Sequence, residues 1–233
     1  MFCEVRGLIK IYFHGSPFEA SFERLLETIA EREVSPYIKA AKFSGPDEGS
    51  NGTRHWNFNL LLGDSVMFRN LMSFEVEGTQ PQHHNRSIIS GNYYEEGGMI
   101  AQLIKKMPNL SVLSVPSAPN HEFFNMASHP LRHLIVQTGY DTQRFLYNIG
   151  RSSCFNRLHI LDFSDFQETY IQDCEEHCTP FSEYQDLFLS SNLANLKIII
   201  LRNSNCSDEQ IATLKSLRKD TLFILIKSTS KYV

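Results

Sequence analysis

A short pattern of apolar positions recurs along the chain. It consists of an apolar residue, two variable residues, a second apolar residue, one variable residue and a third apolar residue. Five copies occur: Leu71–Phe74–Val76, Leu110–Leu113–Val115, Leu131–Leu134–Val136, Leu158–Leu161–Phe163 and Leu196–Ile199–Leu201. Alternating apolar positions are typical of half-buried strands. We therefore expect parallel strands, adjacent in chain order, with their centres near residues 74, 113, 134, 161 and 199.

The segments before these copies are also alike. Four copies follow a lead-in that reads FRNL, MPNL, FNRL or LANL, and HPL takes its place in the third copy. The first positions are 39, 21, 27 and 38 residues apart, and single leucine-rich repeats are about 20–29 residues long. The sequence therefore predicts a leucine-rich-repeat solenoid with insertions at 78–98 and 165–192. Such insertions form loops on one face, which is often the binding face.

Amphipathic segments between these copies predict helices. Ser207 and Gln210 form a capping-box pattern before an apolar stripe, and residues 98–107 carry a second stripe. Shorter helical patterns cover residues 141–149 and 183–191. Alternation of strand and helix favours parallel strands joined by right-handed crossovers. We expect an α/β fold, namely a curved parallel sheet with helices on its convex side.

The N-terminal segment predicts a βα cap over residues 1–36. Its strand is expected to run from Cys3 to Phe13, and its helix to start at a capping pattern around Ser16. A cap of this kind covers the core at the open end of a solenoid, which would otherwise face water.

The rest of the chain is expected to complete one domain, residues 1–233. Residues 37–216 hold the irregular repeats, and within them the turn-rich segment 44–57 predicts a long loop. Residues 217–233 form the C-terminal edge. Its apolar strand, 221–226, predicts a possible homo-oligomer by pairing at an open sheet edge.

Two stretches resemble a family of uncharacterised bacterial leucine-rich-repeat proteins. They are HPLRHLIVQTG at 129–139 and LRNSNCSDEQIA at 201–212. Two positions depart from the family pattern: Tyr140 stands where a second glycine is usual, and the strand LHILDF lacks a tryptophan often found there. The resemblance implies a bacterial cytoplasmic protein with ribonuclease-inhibitor-like repeats, and it implies no catalytic residues.

Charge and hydropathy narrow the classes of partner. The formal net charge is −4 and the pI is about 6.1, so the chain lacks the basic footprint of a nucleic-acid or anionic-membrane binder. No window approaches the eighteen consecutive apolar residues of a spanning helix. Five irregularly spaced cysteines without an export signal favour reduced thiols. We expect a cytoplasmic protein that binds neither nucleic acid nor membrane.

Few residues suggest catalysis or metal binding. Residues 173–178, DCEEHC, contain zinc-ligand types, but no second ligand pair stands elsewhere, so we expect no metal. His83 and His84 predict a solvated loop. Asn205 and Cys206 are expected at a strand-to-helix turn, with the cysteine buried and the asparagine bonded to backbone groups. No nucleophile motif or phosphate loop occurs, so no catalytic residue and no cofactor is expected.

The remaining candidates are strand residues that point away from the core. We expect an exposed apolar row across four neighbouring strands, at Val112, Ile135, Ile160 and Ile198, and such rows mark contact surfaces. The sequence thus predicts a non-catalytic protein–protein interaction module. The alternative is an enzyme or toxin-like activity, possibly metal-assisted, built from the insertion loops. The predicted partner-binding residues are Glu75, Glu77, Val112, Ser114, His133, Ile135, Gln137, Ile160, Asp162, Ile198, Ile200 and Arg202.

Overall fold

The fold is α/β, with most of its strands in one sheet. A computed structural model describes residues 2–5, 7–49, 51–92, 95–165 and 174–227. The main sheet has nine strands in the order β1-β2-β3-β5-β7-β8-β9-β10-β11, and β4 and β6 form a separate pair. The strands are β1 Phe2–Val5, β2 Leu8–His14, β3 Ile38–Ser44, β4 Gly52–Trp56, β5 Ser73–Val76, β6 Asn85–Ile89, β7 Val112–Val115, β8 His133–Gln137, β9 Ile160–Ser164, β10 Ile198–Arg202 and β11 Leu222–Ile226.

The predicted strand order is confirmed. From β2 to β11, every strand of the main sheet runs parallel to its neighbours, and β5, β7, β8, β9 and β10 lie side by side in chain order. Only β1 is antiparallel, to β2. Within the described part of the chain, each parallel strand is thus followed in the sheet by the next copy of the apolar pattern.

Helices connect many of these strands. They are α1 Ala20–Ala30, α2 Met99–Lys105, α3 Phe145–Arg151, α4 Cys174–His177, α5 Phe181–Leu189 and α6 Asp208–Leu217, with 3-10 turns at Ser35–Tyr37, Asn59–Leu62 and His121–Phe124. The predicted capping box is present: Gln210 N–H donates to Ser207 Oγ, and Gln210 Oε1 accepts from Ser207 N–H. At α1, in contrast, the N-cap is Glu19 without a side-chain cap, so the pattern around Ser16 does not cap the helix.

The core lies between one face of the main sheet and the helices. The apolar positions of the recurring pattern are at most 3 % exposed in all five copies, and they share one hydrophobic cluster with the buried residues of α1, α2, α3, α5 and α6. The alternate strand positions are mostly half-buried. One face of the sheet is therefore covered by helices, and the other stays accessible.

The lead-in asparagines link consecutive units. Asn70 Nδ2 donates to the Pro36 carbonyl at 2.7 Å, Asn109 Nδ2 to the Arg69 carbonyl at 2.8 Å, and Asn195 Nδ2 to the Asn156 carbonyl at 2.8 Å. In each case the acceptor stands two residues before the first apolar position of the preceding unit. Each bond satisfies a backbone carbonyl that no strand partner reaches. The repeated NL of the lead-in therefore has a structural cause.

Three further sequence expectations about local structure were wrong. The N-terminal strand is a hairpin rather than one strand, since Gly7 adopts φ 74° and reverses the chain between β1 and β2. Segment 44–57 is not only a loop, because it contains β4. Insertion 78–98 contains β6, which pairs with β4 in parallel. The buried Trp56 at the end of β4 packs against Phe13 and Phe22, which anchors this second sheet to the core.

Candidate functional site

A cleft of about 1030 Å³ lies over the accessible face of the sheet, at the carboxyl ends of its parallel strands. The floor comes from β5, β7, β8, β9 and β10, and one wall comes from residues 77–87 with the start of β4. The cleft therefore combines the accessible face of the main sheet with a wall that the second sheet and its flanking loop provide.

The pairing register arranges the accessible side chains in rows. Glu75, Ser114, Ile135, Asp162 and Ile200 occupy one row on consecutive strands. Neighbouring strands lie about 4.8 Å apart, so this row spans about 19 Å. The two carboxylates of this row, Glu75 and Asp162, lie on opposite sides of Ile135, which is at its centre.

The strongest polar contact of the floor joins Asp162 to Arg202. Arg202 Nε donates to Asp162 Oδ1 at 2.7 Å and Nη2 donates to Oδ2 at 2.9 Å. This two-bond geometry raises the pKa of the Arg202 guanidinium. Asp162 is buried, whereas the Arg202 side chain is 40 % exposed. The pair fixes the guanidinium plane, and within the described chain its Nη1 group has no hydrogen-bond acceptor.

Gln137 holds one wall of the cleft in place. Its Oε1 accepts from Thr79 N–H at 2.8 Å, and its Nε2 donates to the Thr79 carbonyl at 3.0 Å. Thr79 Oγ1 in turn accepts from Ser87 N–H at 2.9 Å. A Cβ on Gly78 would lie 2.5 Å from the Gln137 amide carbon. The contact between Gln137 and the loop therefore requires a residue without a Cβ at position 78.

The turn after β8 fixes the second sheet to the first. Gly139 adopts φ 64°, in the left-handed region that favours glycine. Arg86 donates to the Gly139 carbonyl and lies 4.9 Å from the centre of the Tyr140 ring. Tyr140 Oη lies 2.7 Å from Thr53 Oγ1. Tyr140 therefore links the turn after β8 to the start of β4.

His84 is tied to the loop before β4 rather than free in solvent. Its Nδ1 lies 2.7 Å from Asp47 Oδ2, and Asp47 also accepts from the backbone N–H groups of His84 and Asn85. The side-chain hydrogen bond with His84 is the main cause that lowers the pKa of Asp47 from 3.8 to about 2. His83 and His84 both line the cleft. Among the described residues, no group of three potential metal ligands lies together.

A buried carboxylate borders the cleft below β9. Asp165 accepts from Thr179 Oγ1 at 2.9 Å and from Tyr184 Oη at 2.5 Å. Burial, reinforced by Asp165, raises the pKa of Tyr184 well above its ordinary value and that of Cys206 to about 11. These contacts fasten the described end of insertion 165–192 to the core. Residues 166–173, which include Asp173, lie outside the described residues.

Two further sequence expectations can be compared with this region. Cys206 is buried, at 5 % exposed, as predicted. Asn205 is exposed and makes no side-chain hydrogen bond within the described chain, so the expectation that it bonds to the backbone is wrong.

Glu96, at the end of insertion 78–98, is buried and accepts from the N–H groups of Gly98 and Ile100. Burial raises the pKa of this carboxyl.

The cleft brings together a subset of the predicted partner-binding residues. Its lining contains Glu75, Glu77, Ser114, Ile135, Gln137, Asp162 and Arg202. The others share the accessible face but lie outside the cleft lining: Val112, His133, Ile160, Ile198 and Ile200.

The expected apolar row was wrong at one position. Val112, Ile160 and Ile198 are in register, but His133 stands between Val112 and Ile160, and Ile135 belongs to the next row. Burial lowers the pKa of His133, although the carboxylates of Asp162 and Glu75 oppose the shift. The row is therefore apolar with one half-buried imidazole.

Several cleft residues were missed from the sequence. Lys42 lies on β3 beside Glu75, and Thr53, Arg86 and Tyr140 build the wall. The sequence could have placed Lys42 on the accessible face, because it lies between Ala41 and Phe43 in a weak copy of the apolar pattern. Thr53 and Arg86 had no such signal, because they meet only through the pairing of β4 with β6, and Tyr140 joins them only from the turn after β8.

Comparison of the chain with protein-family models, curated proteins and solved structures gave no match. In the described part of the chain, no helix is both long and apolar enough to cross a membrane.

Proposed function

We propose that this chain is a non-catalytic leucine-rich-repeat protein that binds a protein partner across the accessible face of its sheet. Three observations support the repeat assignment: the parallel strands follow chain order, the apolar positions of every copy are buried, and lead-in asparagines bond to the preceding unit. The resemblance at 129–139 and 201–212 agrees with it. Repeat arrays of this kind use extended faces for binding.

One observation carries the binding proposal: the accessible face and the loop wall enclose a cleft that contains residues from six neighbouring strands, β3 and the five strands of the floor. Its volume, about 1030 Å³, is at the upper end of small-molecule sites, which are about 300–1,000 Å³. The adjoining row of Val112, Ile160 and Ile198 is half-buried and apolar. A protein partner covers both surfaces, whereas a small ligand fills only the first.

The charges of the cleft favour a particular kind of partner segment. Glu75 and Glu77 lie at one end, and among the described residues no cation pairs with the Glu77 carboxylate. Arg202 lies about 19 Å away with Nη1 directed to no described acceptor. We expect an extended polypeptide segment with a basic side chain near Glu77 and a carbonyl or carboxylate oxygen near Arg202.

The test is capture of the partner followed by reconstitution. The full chain is used as bait in a native extract, and the bound protein is identified, purified and titrated by calorimetry. Charge reversal by Glu75→Lys with Glu77→Lys should weaken its binding at least about tenfold, because like charges then face its basic side chain. The matched control, Glu23→Lys with Glu27→Lys, changes the same charge on exposed positions of α1 and should bind like the parent chain.

Two results would overturn the proposal. One is a purified partner that binds the parent chain and the cleft variant equally. The other is recovery of a small molecule in the cleft with no protein partner at all. A melting temperature measured for each variant shows that any loss of binding occurs in folded protein.

A further inference from the structure

β11 forms one edge of the main sheet. It pairs with β10, and no other described strand pairs with it. All five of its residues are apolar, and Leu222 is 57 % exposed. Native edge strands usually carry a charge, a proline or a bulge that prevents pairing with another chain. Between Leu222 and Ile226 the sequence has none of these.

The hydrogen bonds of β11 show which of its backbone groups face outward. Leu222 N–H donates to the Lys197 carbonyl, and the Ile226 carbonyl accepts from Asn203 N–H. In a parallel ladder, every second residue bonds to the same neighbour. Phe223 and Leu225 therefore direct their N–H and C=O groups away from β10, toward the open edge.

We propose that two copies of this chain pair antiparallel along β11, around a two-fold axis at Ile224. Phe223 then lies opposite the partner's Leu225, and each such pair exchanges two hydrogen bonds. Leu222 lies opposite the partner's Ile226, and Ile224 opposite its own counterpart. Every side-chain pair between the two strands is apolar on both faces of the sheet, so the strand is complementary to itself.

The flanking charges select the antiparallel direction. Asp220 precedes the strand and Lys227 follows it, and both are exposed. In the proposed register Lys227 lies opposite the partner's Thr221, one position along from the partner's Asp220 and about 20 Å from the partner's Lys227. Opposite charges on neighbouring strands stabilise pairing, whereas like charges oppose it. Parallel pairing would instead set the partner's Lys227 beside Lys227.

The packing around β11 adds a second reason for pairing. Phe223 is only partly buried, with its ring 5.4 Å from the Phe188 ring and 5.9 Å from Lys215 Nζ. On the other face, Ile224 continues the apolar surface of Ile198 and Ile200. The second copy extends both layers, since its β11 continues the sheet and its Leu225 covers Phe223.

Sedimentation velocity of the full chain over a range of concentrations tests the proposal, with a reversible dimer expected for the parent. Ile224→Lys should weaken the dimer at least about tenfold, because two ammonium groups meet at the closely spaced pair on the axis. Ile224→Glu should do the same. An equimolar mixture of these two variants should restore the dimer, which no loss of folding could imitate. Leu60→Lys, at a 43 % exposed site on the N-terminal side, is the control and should dimerise like the parent.

A second test leaves the strand itself unchanged. Asp220→Lys should weaken dimerisation about threefold to tenfold at low salt, and adding Lys227→Asp in the same chain should restore it. A parent chain that stays monomeric at every concentration would overturn the proposal. Dimerisation that is equal in the parent and the Ile224 variants would overturn it as well, because the contact would then lie elsewhere. Neither result bears on partner binding in the cleft.

Discussion

The side-chain amide of Gln137 pairs with both backbone polar groups of Thr79. The Gln137 side chain thus makes the two backbone hydrogen bonds with Thr79 that a neighbouring strand would otherwise make. Gln137 is one of the predicted partner-binding residues, and its side chain lines the cleft. Its amide is nevertheless already engaged with Thr79, so we assign it the role of positioning this wall of the cleft.

Replacement of Gln137 by alanine should destabilise the loop over the cleft. Two polar groups of Thr79 lose their partners, which costs about 1–3 kcal/mol where water cannot replace them. Urea unfolding measures the change in the free energy of unfolding. Gln102→Ala, at an exposed position on α2, should change it by no more than about 0.5 kcal/mol. Equal effects of the two substitutions would show that the tether contributes nothing.

Leu134→Ala and Leu161→Ala should each lower the free energy of unfolding by about 2–5 kcal/mol. Both side chains are fully buried and occupy the same position in neighbouring strands, so each truncation leaves a cavity in the centre of the core. Chemical denaturation provides the measurement. Near-neutral effects would mean that these side chains are not packed as described.

Ile160→Asp separates a contact surface from a covered one. Ile160 is half-buried on the accessible face, beside His133 and Ile198. If the face binds the partner, the introduced carboxylate should abolish capture while the melting temperature falls by only about 2–4 °C, corresponding to about 1 kcal/mol. Leu189→Asp, at an exposed position on α5, is the control for capture. A collapse in melting temperature would show that Ile160 is covered.

Asp47 should make stability depend on acid pH. Its folded pKa, about 2, is below the ordinary value of 3.8, chiefly because of the hydrogen bond with His84. A lowered folded pKa contributes stability that is present above about pH 3.8 and is lost as the pH falls through about 2. Asp47→Asn removes this contribution at all pH values. The difference in melting temperature between parent and variant should shrink from pH 5 to about pH 2, and a constant difference would contradict the assignment.

The sequence predicted the strands of the main sheet because each copy of its pattern is local and repeated. The lead-in asparagines were recognised as a shared motif, although their bonds to the preceding unit need the structure. The second sheet was missed for a physical reason. β4 contains polar residues within a turn-rich segment, and it becomes a strand only by pairing with Asn85–Ile89, about 30 residues later. Non-local pairing of this kind leaves no periodicity to find.

The floor of the candidate site followed from the same periodicity. Positions that alternate with buried residues had to reach the accessible face, which located Glu75, Ser114 and Asp162. The error at Ile135 was avoidable, because Val112 precedes its central leucine whereas Ile135 follows Leu134. The wall of the cleft could not be predicted, since Arg86 meets Gly139 only when an insertion folds back across the sheet.

Trp56 is the only tryptophan in the sequence, and it is fully buried among the phenylalanines of β2, β3 and α1. The protein therefore has an intrinsic fluorescent reporter at one end of its sheet, and the nearer of the two strands it packs against, β3, is six strand positions from β11. In arrays whose units contact only their neighbours, the two ends can unfold at different denaturant concentrations. Tryptophan emission records the N-terminal end alone, whereas circular dichroism averages over every strand. The gap between the two unfolding curves would measure how far cooperativity extends along the chain.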